Sequence, residues 1–270
     1  MPYIAPDPQE NPGKAFERLL TILDTLRVAC PWDKKQTMES LRHLTIEEMY
    51  ELTDAILEKD FAEIKKELGD VMMHLVFYAK IASEQQQFHV VDVLNTVCDK
   101  LIARHPHIYS DTDVENEDDV KRNWETIKLA EGNKSVLSGV PKGLPALVKA
   151  YRIQDKVRGV GFDWEDKSQV WLKVEEELAE FKQEFNMESG QVVDQEKAES
   201  EFGDLLFSLI NYARHLHINP ENALERTNKK FIQRFTHLEK RAAENGQSLQ
   251  EMTLEEMDVY WNEAKKLQQP

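Results

Sequence analysis

The chain has 270 residues, 50 of them acidic and 34 basic, for a formal charge of −16. Hydrophobic residues at 41% and charged residues at 31% exclude a membrane protein and a disordered tail, and ten Gly with ten Pro are too few for a turn-rich all-β fold. Such an acidic chain is a poor partner for a nucleic-acid backbone, yet it can still take a small polyphosphate, because bound cations reverse the local sign.

Residues 1–13 hold four prolines, at 2, 6, 8 and 12, and no apolar stretch of signal-peptide length. The most apolar segment, Val71 to Ala82, is interrupted by His74 and is too short to cross a bilayer. Two cysteines, Cys30 and Cys98, cannot build a four-thiolate metal site and suggest no disulfide framework. Together these features predict a cytoplasmic protein with reduced thiols.

In chain order, a helix start is expected at Thr45, where Glu48 stands three residues on as a capping box requires. From Asp70 the apolar positions Val71, Leu75, Tyr78 and Ile81–Ala82 recur at spacings of three and four. Gly132 to Pro145 gathers Gly, Pro, Ser and Lys and reads as a linker. The predicted organisation is a module at 14–130, a linker at 131–145 and a second module at 146–267. Gly159-Val-Gly161 is a second break, after which Val170, Val174, Leu178 and Phe181 trace another apolar stripe. No segment alternates with period two for long, so each module is predicted as four or five helices, all α, packed as an antiparallel bundle.

The two modules repeat each other. Glu67-Leu-Gly-Asp70-Val-Met-Met-His-Leu75-Val-Phe-Tyr78-Ala-Lys80 aligns with Glu201-Phe-Gly-Asp204-Leu-Leu-Phe-Ser-Leu209-Ile-Asn-Tyr212-Ala-Arg214. Upstream, Glu47-Glu48-Met-Tyr-Glu51 matches Glu176-Glu177-Leu-Ala-Glu180. Downstream, Lys100-Leu-Ile-Ala-Arg104 matches Lys230-Phe-Ile-Gln-Arg234, and Trp124-Glu-Thr-Ile-Lys128 matches Trp261-Asn-Glu-Ala-Lys265. Four blocks in the same order are two copies of one module.

Glu48 with Glu51, and Glu67 with Asp70, share helix faces at i, i+3. Residues 52–66 between the pairs suffice for a turn, so a helical hairpin can face four carboxylates toward one another. Glu177, Glu180, Glu201 and Asp204 repeat the arrangement across the longer spacer 181–200. Carboxylates without thiol or histidine ligands suit hard cations, Mg²⁺ or Mn²⁺. The bland alternative is a solvated acidic face. Gly69 and Gly203 weigh against it: Gly inside a helix costs roughly 1 kcal/mol against Ala, so their recurrence suggests close helix packing beside the acids. A di-iron site would need Glu-x-x-His, and no histidine lies three residues after a Glu.

Lys100 with Arg104, and Lys230 with Arg234, each offer two cationic donors at i, i+4. They read either as surface salt-bridge partners or as phosphate ligands beyond a metal. Trp124 and Trp261 read either as core residues or as stacking platforms for a nucleobase. Lys197, Asn211 and Tyr212 are on or near the second acidic helices, within reach of a substrate. His105-Pro-His107 is read as structural, since the second copy has Phe235-Thr-His237 there. Neither a Walker-type glycine loop nor G-x-G-x-x-G is present, so phosphate is not cradled by a glycine loop.

E-E-x-x-E followed by E-x-x-D and a downstream K-x-x-x-R resembles the MazG family of nucleoside triphosphate pyrophosphohydrolases. The duplicated order, with Cys30-Pro-Trp-Asp33 and Arg104-His-Pro-His107, resembles its long two-domain bacterial members over residues 15–267. The resemblance implies an all-α homodimer that cleaves NTPs and dNTPs, ATP among them, to NMP and pyrophosphate with Mg²⁺, or Mn²⁺ as a substitute. Carried over, the metal ligands are Glu177, Glu180, Glu201 and Asp204. Lys230 and Arg234 are the phosphate pair. Lys173, Glu176, Lys197, Asp204 and Trp261 are nucleotide contacts, and Glu176 or Glu177 orients the water. The second module is expected to be the main catalytic one. Glu48, Glu51, Glu67, Asp70, Lys100 and Arg104 leave a second site open in the first. Neither membrane nor nucleic acid is an expected partner. Within the superfamily, dUTP-type and phosphoribosyl-ATP-type hydrolases share the carboxylates; outside it stand a regulatory nucleotide- or metal-binding protein without turnover and a helical scaffold.

Overall fold

A computed structural model describes residues 11–116, 119–120, 123–124, 126–127, 135–185 and 190–267. Among the described residues the protein is helical, with a single isolated bridge between Phe185 and Val192. No described helix is long and apolar enough to cross a membrane. The chain divides into two compact units, Met1–Asp113 and Val114–Pro270. That division falls ahead of the Gly- and Pro-rich stretch at 131–145, whose first residues lie outside the described ones.

The first unit comprises α1 (Pro12–Ala29), α2 (Met38–Glu58), α3 (Phe61–Glu84), α4 (Val90–Arg104) and the single turn α5 (Pro106–Tyr109). Asn11 caps α1, whose first residue is a proline with no N–H to waste. Arg27 closes the unit's far side: it binds Glu84, donates to the Asp33 and Gln36 carbonyls and lies over the Phe77 ring. It thereby pins the 3₁₀ turn Asp33–Lys35. Helix α2 starts at Met38, where Thr37 and Ser40 form the capping box. The start expected at Thr45 is therefore misplaced. Thr45 lies inside the helix, where its hydroxyl bonds the Leu41 carbonyl and the Tyr78 hydroxyl at 2.7 Å. Lys59 ends α2 in the left-handed conformation, and Asp60 caps α3 immediately, so α2 and α3 form a tight antiparallel hairpin.

Leu23, Leu41, Val76, Phe77 and Ile81 form the core of this unit, ringed by Phe16, Leu19, Leu20, Met38, Leu44, Met73 and Tyr78. Leu41 and Ile81 are almost wholly buried. Of the expected stripe on α3, Ile81 and Ala82 are buried and Tyr78 packs on the core, but Leu75 is 59% exposed, and Val76 and Phe77, outside the stripe, are buried instead. Helix α4 buries no residue.

In the second unit, α6 (Ala146–Arg158), α7 (Lys167–Gln183), α8 (Gln195–His215), α9 (Pro220–Glu244) and α10 (Leu254–Leu267) follow one another. Helix α6 stops at the Gly159-Val-Gly161 break, where Gly161 has φ +84°, a conformation open to glycine without steric cost. Asp166 caps α7 and Asp194 caps α8. Helices α7 and α8 pair as the central hairpin, α6 lies against α8, and α9 pairs with α10 through Leu238, Ala242 and Ala264. Of the predicted stripe on α7, Val170 and Val174 are buried whereas Leu178 is 37% exposed. A Cβ at Gly69 or Gly203 would meet nothing within 4 Å. The close helix packing expected there is absent from the described fold, because both glycines lie on outward faces beside the exposed Leu68 and Phe202.

Candidate active site

The hairpin geometry brings the acids together in both units. In the second, carboxylate oxygens of Glu177, Glu180 and Glu201 lie within 4.8 Å of one another. Asp204 stands outside that trio but lines a cavity with Glu177. In the first, Glu48, Glu67 and Asp70 meet within the same spacing, and Glu51 stands outside. The helix period causes this: residues three apart share a face, and the antiparallel partner presents its own pair opposite.

The electrostatics show what such a cluster costs. Burial, and then the charges of Asp70 and Glu51, push the Glu48 carboxyl above its ordinary range. Burial, Glu177 and Glu201 do the same to Glu180. One lysine relieves each cluster, from different positions. Lys173 reaches Glu176 and Glu177, each at 2.7 Å, and their hydrogen bonds hold its ammonium well above the ordinary lysine range. In the first unit Lys66 reaches Glu63 at 2.6 Å and the fully buried Glu67 at 2.8 Å. That bond with Lys66 keeps the Glu67 carboxyl below the usual range despite burial, while its Oε2 has no hydrogen-bond partner among the described residues. One lysine against three or more carboxylates leaves net negative charge at each hairpin. Oxygen-only donor sets of that kind fit a hard divalent cation.

The second hairpin opens onto a cavity of about 290 Å³. Lys173, Glu177 and Asp204 line it, and so do Gln154, Asp163, Ser208, Asn211 and Arg214, with Phe162 and Trp164. Gln154, Ser208, Asn211 and Arg214 are each under 9% exposed. Arg214 sits between Asn211 Oδ1 and Asp163 Oδ1, and His215 Nε2 also lies 3.0 Å from Asp163.

The remaining predicted residues divide. Arg234 stacks over the Trp261 ring at 5.8 Å, and Trp261 packs on Phe231 with centroids 5.0 Å apart. Lys230 is exposed and makes no ion pair with any described residue. Lys197 is tied to the buried Glu184. In the first unit Lys100 is exposed and Arg104 half-buried at the end of α4; Trp124, which the division assigns to the second unit, is half-buried. Tyr212 packs against Trp171, centroids 4.9 Å apart. Sequence reasoning missed Gln154, Asp163, Ser208 and Arg214. The sequence carries little signal for them: Ser208 and Arg214 stand where the first copy has the polar His74 and Lys80, and no repeated block reaches Gln154 or Asp163.

Comparison with known proteins accords with this geometry. The MazG nucleotide pyrophosphohydrolase domain matches residues 36–109, which span the first acidic hairpin. The chain is 42% identical to the nucleoside triphosphate pyrophosphohydrolase/pyrophosphatase MazG of Thermotoga maritima, over 94% of this chain and 96% of that one. It is equally similar to the nucleoside triphosphate pyrophosphohydrolase of Escherichia coli K12, over 93% and 97%. It is 46% identical to an uncharacterized Bacillus subtilis protein, YabN, over 93% of this chain and 52% of that one. Near full-length identity at this level, with the paired carboxylate hairpins, makes the chain a member of the MazG nucleotide pyrophosphohydrolase family.

Proposed function

We propose that the chain hydrolyses nucleoside and deoxynucleoside triphosphates, ATP among them, at the α–β bond to the monophosphate and pyrophosphate, dependent on Mg²⁺ and with the second unit as its main site. The observation that carries the assignment to the second unit is the single cavity lined both by Lys173, Glu177 and Asp204 and by buried polar and aromatic side chains. Glu177, Glu180, Glu201 and Asp204 would hold the cation. When bound, it neutralises triphosphate charge and makes phosphorus easier to attack.

The chain's own residues supply the rest. Lys173, already bridging Glu176 and Glu177, exchanges a carboxylate for a phosphate oxygen when substrate and cation arrive. Glu176, 55% exposed in its side chain, accepts a proton from the attacking water or orients it, with Glu177 as the alternative. Lys230 and Arg234 bind the leaving pyrophosphate, where charge accumulates. Arg234 is held for this by Trp261, which contacts the nucleotide. Lys197 joins them by giving up Glu184.

Glu48, Glu51, Glu67, Asp70, Lys100 and Arg104 form a second, lesser site in the module proposed at 14–130; the second module, at 146–267, follows the linker 131–145. Exposed stripes at matching positions, Leu68, Met72 and Leu75 on α3 and Phe202, Leu206 and Leu209 on α8, fit a second copy of the chain, hence a homodimer. On this reading the enzyme works on the nucleotide pool of the cytoplasm and binds no nucleic acid.

The test is product analysis with a panel of NTPs and dNTPs, in Mg²⁺, in Mn²⁺ and in EDTA. Monophosphate plus pyrophosphate, lost in EDTA, is expected. Diphosphate plus orthophosphate would mean that a different bond is cut and would overturn the placement of water and leaving group.

A further inference from the structure

We infer that the cavity of the second unit reads the nucleobase, with Gln154 and Asn211 as the specificity-determining pair. The inference rests on the pyrophosphohydrolase reading and extends it from the triphosphate to the base.

Gln154 is 4% exposed, and its Nε2 donates to the Phe207 carbonyl at 2.8 Å. That bond fixes which end of the amide is nitrogen. It leaves Oε1 buried at the cavity wall with no hydrogen-bond partner among the described residues. A buried unpaired acceptor is costly, and an N–H on a ligand removes that cost. Asn211 is oriented in the same way. Its Oδ1 accepts from Arg214 Nε at 3.1 Å and Nη2 at 2.8 Å, so its Nδ2 is the group left over, and it donates to no described residue. Arg214 is itself braced by Asp163. The cavity therefore presents one fixed acceptor and one fixed donor, the complement of a base edge that carries an N–H beside a ring nitrogen or carbonyl.

Two further features place a base there. Phe162 and Trp164 line the same cavity and are 76% and 42% exposed, so their flat faces are open to stack. Asp204 and Asn211 lie 211 − 204 = 7 residues apart on one face of α8. At 1.5 Å per residue that is about 10 Å, comparable to the reach of a nucleoside from its α-phosphate to its base edge. The first unit has Phe77, a core residue, at the position of Asn211.

The experiment measures kcat/KM for ATP, GTP, CTP and UTP and for base-less ribose 5′-triphosphate, with the full chain and Mg²⁺. Asn211→Asp keeps an oxygen for Arg214 and turns the donor into an acceptor; Gln154→Met keeps the length and removes the acceptor. The wild type is expected to prefer one NTP over ribose triphosphate by about tenfold or more, and each variant to lower that ratio by about tenfold, chiefly through KM. Asn211→Asp is also expected to change which base ranks first. Variants with wild-type helicity that keep both ratio and ranking would overturn the inference. So would a parallel loss on ribose triphosphate, which would assign the pair to sugar or phosphate, or a wild type indifferent to the base. If no NTP yields pyrophosphate, the pyrophosphohydrolase reading fails by itself. Calorimetric binding of the same five compounds to the same variants then decides the pocket, by the same ratios.

Discussion

The two units keep the same acids and differ in what lies beside them. At one offset from the repeated glutamate, α3 has Phe77 and α8 has Asn211; at another, α3 has His74 and α8 has Ser208. On the helices that precede the hairpins, Leu23 and Gln154 are both under 5% exposed. In the first unit Leu23 and Phe77 belong to the hydrophobic core, His74 is buried with its Nδ1 unpaired among the described residues, and Leu23 also lines a cavity of about 290 Å³. In the second they line a cavity. The two acidic hairpins thus have different surroundings: an apolar core at Phe77 in the first unit, and a polar-lined cavity wall at Asn211 in the second. Which lysine neutralises the acids differs as well, Lys66 from within the second acidic helix of the first unit and Lys173 from the first acidic helix of the second.

The sharpest way to break this comparison is to remove the same carboxylate from each copy. Glu201→Gln is expected to lower kcat by at least about 10²-fold, the scale for losing a group that stabilises charge in the transition state. Glu67→Gln is expected to lower it only a few-fold, with far-ultraviolet circular dichroism showing both variants helical. The reverse ranking in a pyrophosphate-release assay would move the main site to the first unit.

How much of this is visible in the sequence depends on the scale of the interaction. The all-α class follows from spacing, and so does the meeting of three acids in each hairpin, because helix period decides which residues share a face; Glu51 and Asp204, expected in the same clusters, stand outside them. Helix starts are less legible: Thr45 with Glu48 has the spacing of a capping box, yet the box forms between Thr37 and Ser40, inside a stretch that the spacing alone does not single out. The glycines misled, since the cost of Gly69 in a helix says that something needs the space and not that this chain fills it. The cavity was largely illegible. Gln154, Ser208 and Arg214 look like ordinary polar residues until tertiary packing buries them, and burial depends on helices distant in sequence. Lys197 reads as a free cation for phosphate until Glu184 is found beside it.

Stability should show the same asymmetry. Phe77→Ala removes a ring that is 3% exposed at the centre of the first core and lies under Arg27. It is expected to cost about 3–5 kcal/mol and to lower the denaturant midpoint of the first unit. Asn211→Ala removes fewer contacts and opens further a wall that is already open, so its cost should be smaller. Urea titrations that give equal losses would contradict the contrast between a packed ring at Phe77 and an open wall at Asn211.

The finest contrast lies in the ion pairs at the repeated position of Lys80 and Arg214. Lys80 binds Asp24 at 2.7 Å, but Asp24 is 59% exposed, and a pair so open contributes about 0–1 kcal/mol. Arg214 is 7% exposed in its side chain and Asp163 18%, so solvent screens them less. Burial pushes the Asp163 carboxyl up, but the hydrogen bond and charge of Arg214, with His215, outweigh it and leave the group below its ordinary range. A carboxyl depressed in the folded state binds fewer protons there than in the unfolded chain. Its contribution is therefore complete above the ordinary aspartate value near about 4 and is lost as pH falls through the lower, folded value. Asp163→Asn removes that dependence and leaves Arg214 without its charged partner, at a cost of about 1–3 kcal/mol at neutral pH. Asp24→Asn should shift the first unit within a few tenths of that. Measured as denaturant midpoints from neutral pH into the acid range, the Asp163→Asn and wild-type curves should converge as pH falls. Curves that stay parallel would show that the pair contributes by packing alone.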